Sequence, residues 1–265
     1  MSNLRVSLLQ SEIQWENRKA NLDFYSNFIN SNLKEPTDII ILPEMFTSGF
    51  TMNVKQCHDS MDGETIQWMR QMSLHYQTAI CGSVIIKEEE FYYNRFLWVD
   101  AMQNHVLIYD KKHLFCLAQE DHFYKAGNKK LLIEYKGWKI APYICYDLRF
   151  PVWMRNVEQA DLQIVVANFP VKRRTAWNGL LTARAIENQC YLAGVNRIGV
   201  DGIGIEYSGD SNLYNYEGEA LFANQSEATI QTATLDKNKL DLYRRAYPFL
   251  KDRDLFRFDR LLGSP

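Results

Sequence analysis

Apolar residues recur along this chain with two periods, and the alternation between them sets out the architecture. Leu4–Leu9 reads as an apolar strand, and Asp38–Leu42 (DIIIL) is a near-continuous apolar run of the kind buried on both faces of a sheet. Between them, Leu22, Tyr25, Phe28 and Ile29 recur at spacings of three and four, which predicts a helix over Glu16–Leu33. A second helix is predicted over Glu64–Tyr76, with Ile66, Met69 and Met72 inward. Ala79–Ile86, Phe91–Val99 and Val106–Tyr109 read as strands with hairpin-like connections, and Leu131–Tyr135 with Lys139–Cys145 as another hairpin.

Pro151 fits the first turn of a helix, where its missing N–H is unused, so Val152–Glu158 is expected to be helical. Leu162–Ala167 is a further buried strand, and Thr175–Asn188 an amphipathic helix with Leu180, Leu181 and Ile186 inward. Tyr191–Val195 and several short strands with Gly-rich turns follow, through Leu235. Strands outnumber helices, and the helices fall where crossover connections belong, which points to a layered α/β sandwich. The last residues, Asp241–Pro265, carry Tyr243, Tyr247, Phe249, Leu255, Phe256 and Phe258 among charges. They are too aromatic for a solvated tail and are expected to pack on the body or on a partner subunit.

Composition adds mainly exclusions. At 265 residues, 46% hydrophobic and 23% charged, the chain is long enough to bury a sizeable core without disulfides or metals. A formal net charge of −2 gives no electrostatic footprint for nucleic acid or an anionic membrane. No apolar stretch reaches the roughly 20 residues that a membrane helix needs, and no secretory leader is visible. The five cysteines, Cys57, Cys81, Cys116, Cys145 and Cys190, are odd in number and irregularly spaced. Reduced thiols in a cytoplasm fit that pattern better than a disulfide framework.

Three chemistry-bearing residues share one placement. Glu44, Lys111 and Cys145 each stand just past the carboxyl end of an apolar strand (IIILPE, VLIYDK, APYIC), the end at which α/β sheets form ligand crevices. Taken singly, each has a plainer reading: a buried small hydrophobe for the Cys, a helix cap for the Glu, a surface turn for the Lys. Brought to one crevice, they are a nucleophile, a base and a cation. No His or Cys pair has zinc-ligand spacing and no phosphate-binding Gly loop is present, so neither a metal nor a cofactor is expected. For a Cys–His alternative, His113 lies close to Lys111 and four other histidines exist, but HLF could simply be packed.

The segments LPEMFTSGF (42–50), YDKKHLF (109–115), YKAGN (124–128), ICYDLRFPVWMRN (144–156) and ARAIENQCYLAGVNRIG (183–199) resemble, in order, the signatures of the nitrilase superfamily of carbon–nitrogen hydrolases. That resemblance implies a four-layer αββα sandwich, assembled as a homodimer or larger homo-oligomer. It implies a hydrolase domain over residues 1–240 and a tail over residues 241–265. It assigns Cys145 as nucleophile, Glu44 as base and Lys111 as electrostatic partner, with the backbone N–H of Tyr146 at the oxyanion. A second glutamate falls on Glu120, across a variable loop.

In the superfamily, the loop carried here by NFPVKRRTAW (168–177) lines the substrate pocket, which suggests Phe169, Arg173 and Trp177 as contacts. An arginine among aromatics suits a carboxylate. The other reading makes Lys172, Arg173 and Arg174 a solvated basic turn. Phe46 and Phe50 are open between pocket wall and core. The segment is most similar to bacterial omega-amidases, implying a small-molecule amide substrate: the ω-amide of a 2-oxo acid. N-carbamoyl amino acid hydrolysis, nitrile hydrolysis and a non-catalytic scaffold are the alternatives.

Overall fold

The computed structural model describes residues 3–100, 102–254 and 256. In chain order the first elements are β1 (Leu4–Gln10), α1 (Arg18–Asn32), β2 (Ile39–Ile41), α2 (Val54–Cys57), α3 (Glu64–Tyr76), β3 (Ala79–Glu88), β4 (Phe91–Asp100) and β5 (His105–Asp110). Next come α4 (Glu120–Phe123), β6 (Ile133–Tyr135), β7 (Trp138–Ile144), α5 (Pro151–Met154), β8 (Leu162–Ala167) and α6 (Arg174–Asn188). The remainder is β9 (Tyr191–Asn196), β10 (Ile198–Val200), β11 (Glu206–Ser208), β12 (Asn212–Tyr214), β13 (Thr229–Leu235) and α7 (Lys237–Ala246).

The strands form two large sheets, ordered β13-β1-β2-β3-β4-β5 and β12-β9-β8-β7-β6, with β10 and β11 paired apart. The strands β1, β2 and β3 run parallel, as do β7, β8 and β9, and antiparallel partners close the edges. Strand periodicity explains the layering, because successive side chains point to opposite faces. Val6, Leu8, Ile39, Ile41, Ala79, Cys81, Phe96 and Trp98 share a core with Trp138, Ile140, Ile164 and Leu192 of the second sheet. Their neighbours Leu9, Ile40, Ile80, Leu97 and Val99 join instead Leu22, Tyr25 and Ile29 of α1 and Ile66, Met69 and Met72 of α3. On the other side, α6 lies so close to β9 that a Cβ on Gly194 would meet Leu181 at 2.6 Å and Trp177 at 3.1 Å. The fold is a four-layer αββα sandwich.

Two expectations need correction. The helix after Pro151 stops at Met154 instead of running to Glu158. Asn156 ends it: its side chain accepts from Ala160 N (2.7 Å) and donates to Ala160 O and Asn188 O (2.9 and 3.0 Å), which requires a turn. On α6 the buried stripe runs through Trp177, Leu181, Arg184, Ala185 and Asn188, while Ile186 is 48% exposed. Arg184 lies on the inward face because its guanidinium caps Leu148 O at 2.8 Å. Residue 240 falls inside α7, which runs Lys237–Ala246.

The end of α7 is held by Arg244, whose guanidinium binds Asp161 at 2.9 Å and Gln189 O at 2.7 Å. Tyr243 lies 4.6 Å from Tyr216, and Tyr247 and Phe249 are more than half exposed. Leu255 and Phe258 lie outside the described residues. Among the described residues no helix is long and apolar enough to cross a membrane.

Candidate active site

Glu44, Lys111 and Cys145 stand two or three residues, or fewer, beyond β2, β5 and β7, and the two sheets bring them together with Glu120. Both carboxylates and the lysine are almost completely enclosed. Lys111 Nζ donates to Glu44 Oε1 at 3.0 Å and to Glu120 Oε2 and Oε1 at 2.9 and 3.0 Å. The backbone of Lys111 is pinned as well, its N–H on Asn94 O (3.0 Å) and its carbonyl receiving Gly127 N–H (2.8 Å). Gly127 is required there: a Cβ would lie 2.2 Å from Asp110 O.

Glu44 is oriented by a chain of donors. Met45 N–H donates to Ser83 Oγ (3.0 Å), Ser83 donates to Asn94 Oδ1 (2.8 Å), and Asn94 Nδ2 donates to Glu44 Oε1 (2.7 Å). The other oxygen, Oε2, accepts Asn168 N–H at 2.8 Å. Glu120 accepts Phe115 N–H at 2.6 Å as well as the lysine. Asn94 and Asn168 escaped the sequence reading, although an asparagine within the aromatic-rich β4 and another just past β8 were available signals.

Cys145 is half-buried on the floor of the cavity, with Sγ 3.9 Å from Asn168 O. Its backbone sits at φ 44°, in the left-handed region, where a non-glycine residue costs about 1–3 kcal/mol. Asp147 secures that turn. Its carboxylate accepts Ile144 N–H (3.1 Å), Tyr109 OH (2.6 Å), and the His113 N–H and Nδ1 (3.0 and 2.8 Å). The turn bearing the thiol and the loop bearing the lysine are therefore tied to one carboxylate. His113 is committed to Asp147 and stacked on Phe150 at 3.7 Å, which removes it as partner for Cys145.

Electrostatics follow from enclosure. Burial, and then Glu44, push the Cys145 thiol well above its ordinary range, against the pull of Lys111. Burial draws Lys111 down, but Glu120 and Glu44 outweigh it and hold the ammonium above its usual value. Burial and the nearby Glu44 raise Glu120, opposed by Lys111. Burial thus favours the neutral form of the Cys145 thiol beside the ion-paired Lys111 and its two carboxylates.

A cavity of about 620 Å³ opens over Cys145 and is lined by Lys111, Tyr146, Phe169 and Arg173, and also by Phe50, Phe115 and Asn168. Trp177 is not on its wall, contrary to expectation. It is enclosed behind Phe169 at a ring distance of 5.3 Å, with Nε1 donating to Asp210 O at 3.0 Å. Phe46 is likewise core, packed on Tyr25 and Trp68.

The model of the family described as carbon-nitrogen hydrolase matches residues 5–245. The chain belongs to the carbon-nitrogen hydrolase family. As a member, it is 43% identical over 258 residues to the omega-amidase YafV of Escherichia coli K12, covering 97% of this chain and 99% of that one. It is 31% identical over 258 residues to the 2-oxoglutaramate amidase of Bacillus subtilis, covering 95% and 98%. Among solved structures, it is similar to XC1258 of Xanthomonas campestris, a CN-hydrolase superfamily protein with an arsenic adduct in its active site. The TM-score is 0.94 at 40% identity, over 98% of this chain and 100% of that one. Carbon-nitrogen hydrolase relatives thus extend over nearly the whole chain.

Proposed function

We propose that this carbon-nitrogen hydrolase cleaves the terminal amide of small 2-oxo acid ω-amides, 2-oxoglutaramate and 2-oxosuccinamate, to the 2-oxo dicarboxylate and ammonia. The observation that carries the reading is the enclosed Glu44–Lys111–Glu120 network opening at Cys145 onto a cavity that also presents Arg173. The likeness to an omega-amidase and a 2-oxoglutaramate amidase along nearly their full lengths supports it.

The chemistry runs in two stages. Glu44 takes the Cys145 proton as the sulfur adds to the amide carbon, forming a C–S bond and an oxyanion. The Lys111 ammonium, held by Glu44 Oε1 and both oxygens of Glu120, stabilises that oxyanion through its positive charge, with the backbone N–H of Tyr146 as donor beside it. One such donor is typically worth ~3 kcal/mol. Glu44 passes its proton to the nitrogen, the C–N bond breaks and ammonia leaves. Water, deprotonated by Glu44, then attacks the thioester, and the acid departs as the thiol regains its proton. Glu120 positions Lys111 throughout. Arg173 receives the substrate carboxylate, and Phe169 walls the cavity beneath it.

Exposed Tyr247, Phe249 and Phe256 on the C-terminal segment support association into a dimer or larger homo-oligomer, and unpaired cysteines support a reducing, cytoplasmic setting. Sedimentation of the purified chain tests the first. For the activity, kcat/KM is to be compared across 2-oxoglutaramate, 2-oxosuccinamate, simple amides, N-carbamoyl amino acids and nitriles. The 2-oxo acid amides are expected to lead; a carbamoyl compound or nitrile in front would overturn the substrate assignment.

A further inference from the structure

Two guanidiniums, not one, border the cavity over Cys145. Arg149 closes the turn Cys145–Arg149, and Arg173 ends the turn that follows β8. Their Cζ atoms lie 5.8 and 5.7 Å from the ring centroid of the same residue, Phe169, and Arg173 lies 4.9 Å from the ring of Phe115. Neither makes an ion pair among the described residues. The contrast with the next residue is sharp, since Arg174 is locked to Asp210 at 2.6 Å. Glu16, the carboxylate on the cavity wall, is already occupied by Thr51 Oγ1 and by Asn53 Nδ2 at 2.9 Å. Among the described residues the wall therefore offers two guanidiniums without an ion-pair partner, while the Glu16 carboxylate is fixed by its own hydrogen bonds to Thr51 and Asn53.

Like charges directed at one cavity repel, and an anion with acceptors for both relieves the repulsion. A single carboxylate fills one guanidinium fork bidentately. The second fork calls for another acceptor close by, which a 2-oxo acid supplies in its keto oxygen. An α-amino acid amide offers an ammonium at that position, which the same two cations repel. We propose that Arg149 and Arg173 act together as the specificity device of this site. They read a carboxylate with its adjacent 2-oxo oxygen and exclude the corresponding amino acid amide. The proposal rests on the ω-amide reading for its biological sense, but its test does not.

The test is protection of Cys145 from alkylation by iodoacetamide, a neutral probe, followed by mass spectrometry of the Cys145 peptide. Protection by 2-oxoglutarate is compared with protection by glutarate, which lacks the oxo group, each variant being scaled to its own unprotected rate. In the wild type, 2-oxoglutarate is expected to protect at concentrations about tenfold lower or more. Arg149→Gln is expected to bring the two compounds to near parity, with Arg149→Lys between. An unchanged preference in Arg149→Gln overturns the paired role. A chain that hydrolyses no 2-oxo acid amide, yet loses the preference in Arg149→Gln, leaves the pair standing and removes the ω-amide reading. Hydrolysis with a preference indifferent to Arg149 does the reverse.

Discussion

Asn168 holds Glu44 at two points: its backbone N–H donates to Oε2 at 2.8 Å, and its side-chain amide donates to the Glu44 carbonyl at 2.7 Å. In the proposed mechanism Glu44 hands a proton from sulfur to nitrogen, and it has to keep one orientation through both transfers. Removing the side chain frees the backbone on which Glu44 stands, and misplacement by about 1 Å can cost on the order of a hundredfold. Asn168→Ala is therefore expected to lower kcat by about 10- to 100-fold with little change in KM. Steady-state kinetics would decide, and a defect confined to KM would count against this role.

Lys111 is the sole cation bonded to two enclosed carboxylates among the described residues. Lys111→Met leaves Glu44 and Glu120 facing each other uncompensated, and breaking a buried pair in this way costs roughly 3–5 kcal/mol. Adding Glu120→Gln removes one of the stranded charges. Denaturant melts are expected to show the double variant more stable than Lys111→Met alone, while activity stays lost because the cation proposed to stabilise the oxyanion is gone. Additive losses would contradict the network.

The raised Cys145 thiol has a consequence for stability at alkaline pH. In the unfolded chain a thiol ionises near ~8.5. Burial, then Glu44, keep the folded thiol protonated beyond that point, against Lys111. Above about pH 8.5 the folded state therefore binds more protons than the unfolded state. The stability contributed is full below that value and is lost as pH rises toward the folded one. Cys81 and Cys190 act in the same sense, so the informative quantity is a difference. The Tm of Cys145→Ala relative to wild type is expected to rise from about pH 8 to about pH 10; a constant gap would exclude the shift.

Arg173 and Trp177, four residues apart, are expected to part company on mutation. Trp177→Phe removes the donor to Asp210 O inside the core, a loss of about 1–3 kcal/mol in thermal or chemical unfolding, with KM unchanged. Arg173→Gln is expected to leave Tm where it is and raise KM at least about tenfold. Exchanged phenotypes would return Trp177 to the pocket wall.

Much of this was legible in the sequence because strands buried on both faces, such as DIIIL and LQIVVA, can hardly be read otherwise, and Glu44, Lys111 and Cys145 each follow the carboxyl end of a recognisable strand. What escaped was decided by contacts distant in sequence. Nothing local distinguishes Trp177, whose indole meets Asp210 O across the fold, from a pocket wall. Ile186 looks as apolar as Leu181, yet Arg184 occupies the inward face because Leu148 O lies within its reach. Asn94 and Asn168 appear as polar interruptions until the two sheets bring them to Glu44. Asp147 lies in a recognisable motif, but its grip on His113 links segments 34 residues apart.

If Cys145 performs ω-amide hydrolysis, ammonia release from 2-oxosuccinamate depends on its thiol. Wild type and Cys145→Ala are to be assayed side by side at matched concentrations of folded protein. Release by the wild type that vanishes in the alanine variant is the expected result. Equal release by both proteins, or none from a folded wild type whose Cys145 is readily alkylated, would contradict it.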